Sequence, residues 1–189
     1  MPFWSAADIE PKRQFRFSVS IAGMEANATY YAKSVTQPSF SVSESELKFL
    51  NHTFYYPGRV TWDKVTVTLV DPADPDASGN LLTILRASGY NVPGNLNEPG
   101  ALSSIGKANS VASLGAVYIR ALDEDGGTLE EWTLNNPFIS RVSFNDFDYS
   151  ADELINVTLE LRYDWASYKI PGGRSAGEMV DRNLFSLGS

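Results

Sequence analysis

The sequence predicts a mainly β protein, an antiparallel β-sandwich or partly open barrel with one lateral α-helix. Three observations support this prediction: alternating apolar and polar residues in most segments, turn residues between those segments, and one stretch with helical periodicity. The 189 residues are 43% hydrophobic and 20% charged, which is typical of a globular domain that buries its own core.

In the first half of the chain, alternating or β-branched segments predict strands at 15–21, 29–35, 39–43 and 60–69. The apolar positions of the last of these segments change phase at Asp63-Lys64. Because one extra residue turns every later side chain to the opposite face, we expect a β-bulge there.

One segment, from about Ala77 to Ser88, has the periodicity of a helix. Its apolar stripe consists of Leu81, Leu82, Ile84 and Leu85. Asp76 or Ser78 suits the N-cap position, and Gly89 stands where helices commonly end in a left-handed residue.

The second half of the chain contains more predicted strand than helix. Residues 90–113 are rich in Gly, Asn, Pro and Ser, so we expect mostly loop there, with a short helix near 101–108. Further alternating segments predict strands near 117–121, 132–134, 138–144 and 155–163, with an acidic hairpin turn at 123–127.

The chain has no internal repeat and no linker that would divide it. We therefore expect one β domain over residues 1–165, of which residues 1–12 form an N-terminal arm. From Ala166 the alternation weakens, and Pro171-Gly172-Gly173 follows. This change predicts an extended C-terminal tail over residues 166–189.

Composition excludes several classes of function. The chain has no cysteine and a single histidine, His52, which excludes disulfides, thiolate catalysis and multi-histidine metal sites. The net charge of −8 disfavours binding to nucleic acid phosphates and to anionic membranes. No apolar run approaches the ~18 residues that a spanning helix needs, so we expect no membrane insertion.

Motifs that superficially suggest chemistry have simpler interpretations. Asp71, Asp74 and Asp76 lack the spacing and the glycine of a calcium-binding EF-hand loop, and they suit a stiff strand-to-helix connection. The carboxylates at 123–125 fit a hairpin tip better than half of a glycosidase pair. Gly106-Lys107 lacks the rest of a phosphate-binding loop. We expect no catalytic residue, cofactor or metal, and a protein that is not an enzyme.

The aromatic cluster Phe54-Tyr55-Tyr56, together with Trp62, has three interpretations. Tyrosine and tryptophan are favoured in carbohydrate-binding platforms, in cores and in subunit interfaces. Periodicity does not choose among these, although core and interface together are favoured over sugar binding.

Two parts of the chain resemble the tail tube proteins of contractile-tailed bacteriophages. In the first part, a strand ends at a proline within residues 33–38. Later, within residues 59–71, a basic residue and an aromatic residue precede a Val-Thr-Val strand, and an acidic turn follows it. In the second part, the segment of residues 136–149 is followed by an alternating strand that ends at Tyr163-Asp164-Trp165. The order of features is similar to that family over 15–165, and the tail beyond departs from it.

The resemblance implies hexameric rings that stack into a hollow tube, with the sheets of neighbouring subunits joined into one barrel. It implies as partners further copies of this chain, the tail sheath protein, and baseplate and tail-terminator proteins. DNA would pass through the lumen without specific binding. The acidic balance of the chain leads to the further hypothesis that carboxylates line the lumen wall. The expected location is the tail of a virion assembled in the host cytoplasm.

The resemblance also implies a hairpin over 39–57 that reaches the adjacent ring. Inter-subunit contacts are therefore expected at Phe40, Val42, Glu44, Glu46, Leu47, Phe49, Phe54, Tyr55 and Tyr56. A baseplate tube initiator, or the tube of a contractile bacteriocin or a type VI secretion system, is the nearest alternative. A monomeric carbohydrate-binding β-sandwich is the alternative from another class, and a hydrolase with a carboxylate pair is the least favoured.

Overall fold

A computed structural model describes residues 11–24, 32–74, 76–91, 103–150 and 152–171. In chain order the elements are β1 (Phe17–Ile21), β2 (Ala32–Val35), β3 (Phe40–Phe49), β4 (His52–Trp62), β5 (Val65–Val70), α1 (Ala77–Ala87), α2 (Lys107–Leu114), β6 (Val117–Leu122), β7 (Thr128–Asn135), β8 (Phe138–Phe144), β9 (Asn156–Arg162) and β10 (Trp165–Lys169). The expected N-terminal arm lies outside the described residues, except for its last two positions.

The strands form antiparallel sheets, as predicted. One sheet has the order β1-β6-β7-β10, a second has the order β2-β5-β9-β8, and β3 and β4 pair as a separate hairpin. Neither four-stranded sheet closes on itself within the described ranges, so the architecture is open and not a closed barrel. Both the mainly β class and the antiparallel arrangement are confirmed.

The core lies between the two four-stranded sheets and α1. On β5, Val65, Val67 and Leu69 are buried opposite the buried side chains Leu161, Leu159 and Val157 of β9. The first sheet contributes Val19, Val117, Ile119 and Leu134, and α1 contributes Leu81 and Ile84. Full burial of one such side chain stabilises the fold by roughly 1.5–3 kcal/mol. This shared core holds both sheets in place.

The β-bulge expected at Asp63-Lys64 is wrong. Trp62 ends β4 and Val65 begins β5, and these strands lie in different sheets. The apolar phase changes because the chain turns here from the hairpin into the second sheet. The turn is held by the amide of Asp63, which donates to the carbonyl of Ser39 at 2.8 Å, and by the Ser39 hydroxyl, which donates to Asp63 Oδ2 at 3.0 Å.

Helix α1 has the predicted position and caps. The Asp76 side chain accepts a hydrogen bond from the amide of Gly79, and Gly89 follows the helix at φ +107°. The apolar stripe is only partly buried, because Leu82 is 55% exposed and Leu85 lies beside it at the surface. These two side chains line an open groove next to β8.

The second helix differs from the prediction. It spans Lys107–Leu114, so it begins six residues after the start of the short helix expected near 101–108. Of its residues only Ser110 and Leu114 are buried, and a short helix with so few buried positions leaves a weak periodic signal. It ends at Gly115, whose φ of +70° suits a residue without a side chain.

The sheet continues past the expected start of the C-terminal tail. Residues 165–169 form β10, which pairs with β7 from Trp165↔Asn135 to Lys169↔Glu131. Ala166 is fully buried. The expected boundary at residue 165 is therefore too early, and the reason is that only one of the five residues of β10 is buried, which leaves a weak alternating pattern. Residues 172–189 lie outside the described ranges.

Candidate assembly interface

The β3–β4 hairpin is the most unusual element of the described chain. Every residue of β3 and β4 is exposed except the half-buried Trp62. Its two strands have 10 and 11 residues, so each extends roughly 35 Å, at about 3.3 Å per residue. Nine of its residues were predicted as inter-subunit contacts, and all nine lie on the hairpin and are exposed. Their role as contacts stays a prediction.

Strand pairing determines which face each hairpin residue occupies. Cross-strand partners share a face and successive residues alternate. Near the body, Phe40 pairs with Trp62 and Val42 with Val60, so these four form an apolar base patch on one face. Towards the tip, Leu47 pairs with Phe54, Phe49 with His52 and Ser45 with Tyr56. Leu47, Phe49, Phe54 and Tyr56 therefore form an apolar tip patch on the opposite face.

A β-bulge produces this change of face. Gly58 and Arg59 of β4 lie opposite the single residue Ser43 of β3, between the pairs Val42↔Val60 and Glu44↔Pro57. The Ser43 hydroxyl accepts a hydrogen bond from the amide of Arg59 at 2.8 Å. A Cβ on Gly58 would lie 2.3 Å from Ser43 Oγ and 2.9 Å from its carbonyl oxygen. Only glycine fits this bulge, which turns the outer part of β4 over.

The base of the hairpin is anchored to the body through aromatic rings. The rings of Phe40 and Trp62 have centroids 5.2 Å apart, and those of Trp62 and Tyr163 are 6.0 Å apart. Burial, and secondarily the nearby carboxylate of Asp63, raises the pKa of Tyr163 to about 12. The cluster first weighed as core, interface or sugar platform is thus divided, with Trp62 against the core and Phe54, Tyr55 and Tyr56 exposed.

The sequence prediction missed two exposed apolar residues of the hairpin. Val60 completes the base patch and shares the even numbering of Trp62, which was a usable signal. Leu50 lies at the hairpin turn, is 89% exposed and has φ +52°, a backbone conformation that leucine rarely adopts. No sequence pattern indicates an apolar residue at such a turn.

The sheet edges form the second candidate surface. β1 and β10 are the outer strands of one sheet, and β2 and β8 are the outer strands of the other. Within the described chain, the outer sides of these strands pair with no further strand. Unpaired edge groups favour pairing with another chain, so edges and hairpin together are suited to self-association.

The acidic motifs have structural partners. Asp71 accepts hydrogen bonds from the amides of Ala77 and Ser78 and from the Ser78 hydroxyl, and Asp76 caps α1. Asp123 accepts from the amides of Asp125 and Gly127 and so closes the β6–β7 turn. The predicted strand-to-helix connection and hairpin tip are confirmed by these contacts.

The described residues contain neither a metal-binding cluster nor a membrane-spanning helix. Over the described ranges, no three His, Cys, Asp or Glu side chains are grouped so that they could hold a metal ion. Neither described helix has the length and apolar character needed to cross a membrane.

Comparison with known proteins shows likeness in structure. No protein-family model matches the chain, and no curated protein matches it. A chain of the sheath/tube terminator of an extracellular contractile injection system, PVC, superposes with a TM-score of 0.62 at 18% identity, covering 86% of this chain and 99% of the other. A chain of the tube-terminating cap of the anti-feeding prophage gives 0.61 at 14% identity, covering 90% and 100%.

A third solved structure, the PVC sheath–tube complex in its extended state, contains a chain with a TM-score of 0.59 at 16% identity, over 90% of this chain and 99% of the other. At such identities the likeness concerns the fold. The chain therefore has the fold of subunits of contractile injection systems, and the resemblance to tail tube proteins is confirmed at the level of fold.

Proposed function

We propose that this chain is the structural subunit of a contractile tail tube, in which hexameric rings stack around a lumen that conducts DNA. The observation that carries the proposal is the exposed hairpin with apolar patches on opposite faces. Monomeric soluble proteins rarely expose large contiguous apolar patches unless these are binding sites. A second copy of the chain is the simplest partner for such patches.

The proposed assembly uses two kinds of contact. Outer strands of neighbouring subunits meet within a ring, and the hairpin reaches the next ring. Both contacts are head-to-tail, because the hairpin and the surface that receives it are different parts of the chain. Head-to-tail contacts close into rings or extend as filaments, depending on their rotation. The nine predicted hairpin residues are the proposed axial contacts.

The proposed partners follow the same assignment. They are further copies of the chain, a sheath protein, and baseplate and terminator proteins, in a virion tail assembled in the host cytoplasm. Passing DNA is not bound, since carboxylates on the lumen wall of a chain with net charge −8 repel phosphates. The role is structural and not enzymatic.

A second candidate function is a terminator or baseplate position in the same kind of machine, in a phage or in a related injection system. It is favoured by the likeness to chains of a PVC sheath/tube terminator and of the anti-feeding prophage baseplate, the latter with a TM-score of 0.59 at 16% identity. An initiator or terminator forms a ring but does not extend into a tube without other components, which distinguishes the two assignments.

Negative-stain electron microscopy of the purified chain tests the proposal. We expect rings and tubes from the intact chain, and folded particles without tubes after deletion of residues 44–54. A control variant, Lys48→Ser with Thr53→Ser, changes polar residues that pair on the face away from the tip patch, and it should still form tubes. Tubes from the deletion variant contradict the axial role. Featureless monomers of the intact chain at high concentration favour a binding module.

A further inference from the structure

We propose that the acidic loop between β8 and β9 of one copy docks into a basic cleft between β1 and β2 of the next copy. This inference rests on the proposed ring-forming function and identifies a lateral contact within the ring. It concerns surfaces separate from the β3–β4 hairpin.

The basic cleft has a volume of about 800 Å³ and opens beside the edge strands β1 and β2. Its cationic lining residues are Lys12, Arg13, Arg16, Lys33 and Arg120. The carboxylate among its lining residues is Glu130, which is buried and paired with Lys12. Glu124 and Glu131 pair with Arg16 and Arg120 from nearby. With Glu124 and Glu131 included, cations still outnumber carboxylates among these named residues, by five to three.

The cleft also presents aromatic side chains and the ammonium group of Lys33. Phe15 is 74% exposed, with the guanidinium of Arg16 5.6 Å from its ring centroid, and the partly buried Trp132 also lines the cleft. Lys33, on the edge strand β2, makes no hydrogen bond or ion pair with any residue that the structure describes. The cleft therefore suits an acidic segment that also carries aromatic residues.

The β8–β9 loop, residues 145–155, has this chemistry. Its carboxylates are Asp146, Asp148, Asp152 and Glu153, and it contains no lysine or arginine. Three of its apolar side chains are strongly exposed, Phe147, Tyr149 and Leu154. The hydroxyl and amide of Ser150 donate to Asp148 at 2.8 and 2.9 Å, which folds part of the loop locally. The other three carboxylates have no partner among the described residues.

The positions of the two surfaces make a head-to-tail contact possible. β8 and β2 are opposite edges of the same sheet. A copy placed with its β8 edge beside the β2 edge of its neighbour therefore brings its β8–β9 loop to the side where the neighbour's cleft opens. Because each chain carries a net charge of −8, whole subunits repel one another, and local pairing of opposite charges opposes that repulsion.

Opposite charge changes at the two surfaces provide the test. Lys33→Glu makes the cleft and the chain more acidic, whereas Asp146→Lys with Asp152→Lys makes the loop and the chain less acidic. General repulsion predicts that the second variant assembles better than the wild type. Docking predicts that both variants raise the critical concentration for ring formation, by roughly tenfold, as measured by sedimentation velocity.

The combined variant and a control complete the experiment. Restoring opposite charges in Lys33→Glu/Asp146→Lys/Asp152→Lys should bring the critical concentration back to within about threefold of the wild type, because coupled sites are not additive. Arg86→Glu, on the exposed end of α1, should have little effect. The inference is overturned if the effects of the two charge changes on the critical concentration add in the combined variant. It is also overturned if the loop variant assembles more strongly than the wild type.

A separate experiment distinguishes docking of the acidic loop from binding of a nucleic acid in the cleft. Fluorescence anisotropy with a labelled single-stranded oligonucleotide should show no binding to the wild-type chain, and binding that Lys33→Glu abolishes overturns the inference. If wild-type rings form but both charge variants assemble normally, this inference fails and the proposed function stands. If the wild type forms no rings, both fail.

Discussion

The pair β5–β9 and the hairpin β3–β4 are both antiparallel and rich in apolar residues, yet they end in opposite environments. On β5 the residues Val65, Val67 and Leu69 are almost completely buried. On the hairpin, Phe49 and Phe54 are half exposed or more. The difference shows that an alternating pattern specifies a strand but does not specify what covers its apolar face.

The two regions also differ in how regular their patterns are. The buried residues of β5, Val65, Val67 and Leu69, keep one phase, so a single core covers them. In the hairpin the phase changes midway, through the sequence in β3 and through the bulge at Gly58 in β4. A ribbon with apolar patches on opposite faces cannot lie on one core, and it needs a separate partner for its outer patch.

Truncation of a core leucine should give the largest effect and the clearest contrast. Leu159→Ala removes a fully buried side chain and should lower the free energy of unfolding by about 2–5 kcal/mol. Phe54→Ala, on the exposed tip patch, should change it by less than ~1 kcal/mol while abolishing tubes. Urea denaturation and electron microscopy measure the two outcomes. Equal destabilisation by both substitutions would contradict the contrast.

A substitution at the bulge should affect the hairpin more than the body. Gly58→Ala places a Cβ against Ser43, and the required shift should cost about 1–3 kcal/mol and turn the tip patch away from its contact. Gly106→Ala is the matched control, because an added Cβ there meets nothing within 4 Å. Thermal unfolding and tube yield provide the readouts. Normal tubes from Gly58→Ala would show that the change of face is unimportant.

The pH dependence of stability tests one ionisable group in the body of the protein, Asp164. Hydrogen bonds from Lys107 at 2.7 and 2.8 Å and from Asn136 at 2.8 Å lower the pKa of Asp164 below its ordinary value. A lowered folded-state pKa gives stability that is present above the unfolded pKa and lost as the pH falls through the folded value. Asp164→Asn should therefore destabilise the chain at pH 7, by under about 1 kcal/mol, and be neutral near pH 2. If the difference in free energy of unfolding between the wild type and Asp164→Asn is the same at pH 7 and at pH 2, the lowered pKa of Asp164 is refuted.

The smallest effect is expected at the hairpin turn. Leu50→Gly removes the cost of a left-handed leucine and should raise stability by about 0.5 kcal/mol or less. The same change removes an exposed apolar side chain at the tip and should raise the critical concentration for tubes. Differential scanning calorimetry measures the expected rise in stability, and sedimentation measures the expected weakening of assembly. A variant that is more stable and also assembles more strongly would argue against contact at the tip.

Sequence predicted the elements whose signals are local. The cap at Asp76, the turn at 123–127 and the alternation of β9 each depend on neighbouring residues, and each was found. The separation of β4 from β5 was missed, because it depends on which sheet each strand joins. The strand β10 was missed because it is stabilised by pairing with β7, and only one of its five residues is buried.

The candidate surfaces were only partly predictable, for a similar reason. The hairpin residues were identified from a resemblance, but their division between opposite faces depends on the bulge at Gly58, which alternation alone does not reveal. The basic cleft combines residues from the segment before β1, from β2 and from β6, which are far apart in the sequence. Their shared charge is therefore hidden in a chain whose overall balance is acidic.

Hydrogen exchange of the hairpin amides tests the central claim most directly. A two-stranded ribbon without a covering layer is only marginally stable, so amides of 44–57 should exchange rapidly in dilute monomer while those of β5 and β9 stay protected. In assembled tubes, the hairpin amides should become as slow as those of the body. Hairpin exchange that is unchanged by assembly would contradict the claim that identical copies cover its apolar patches.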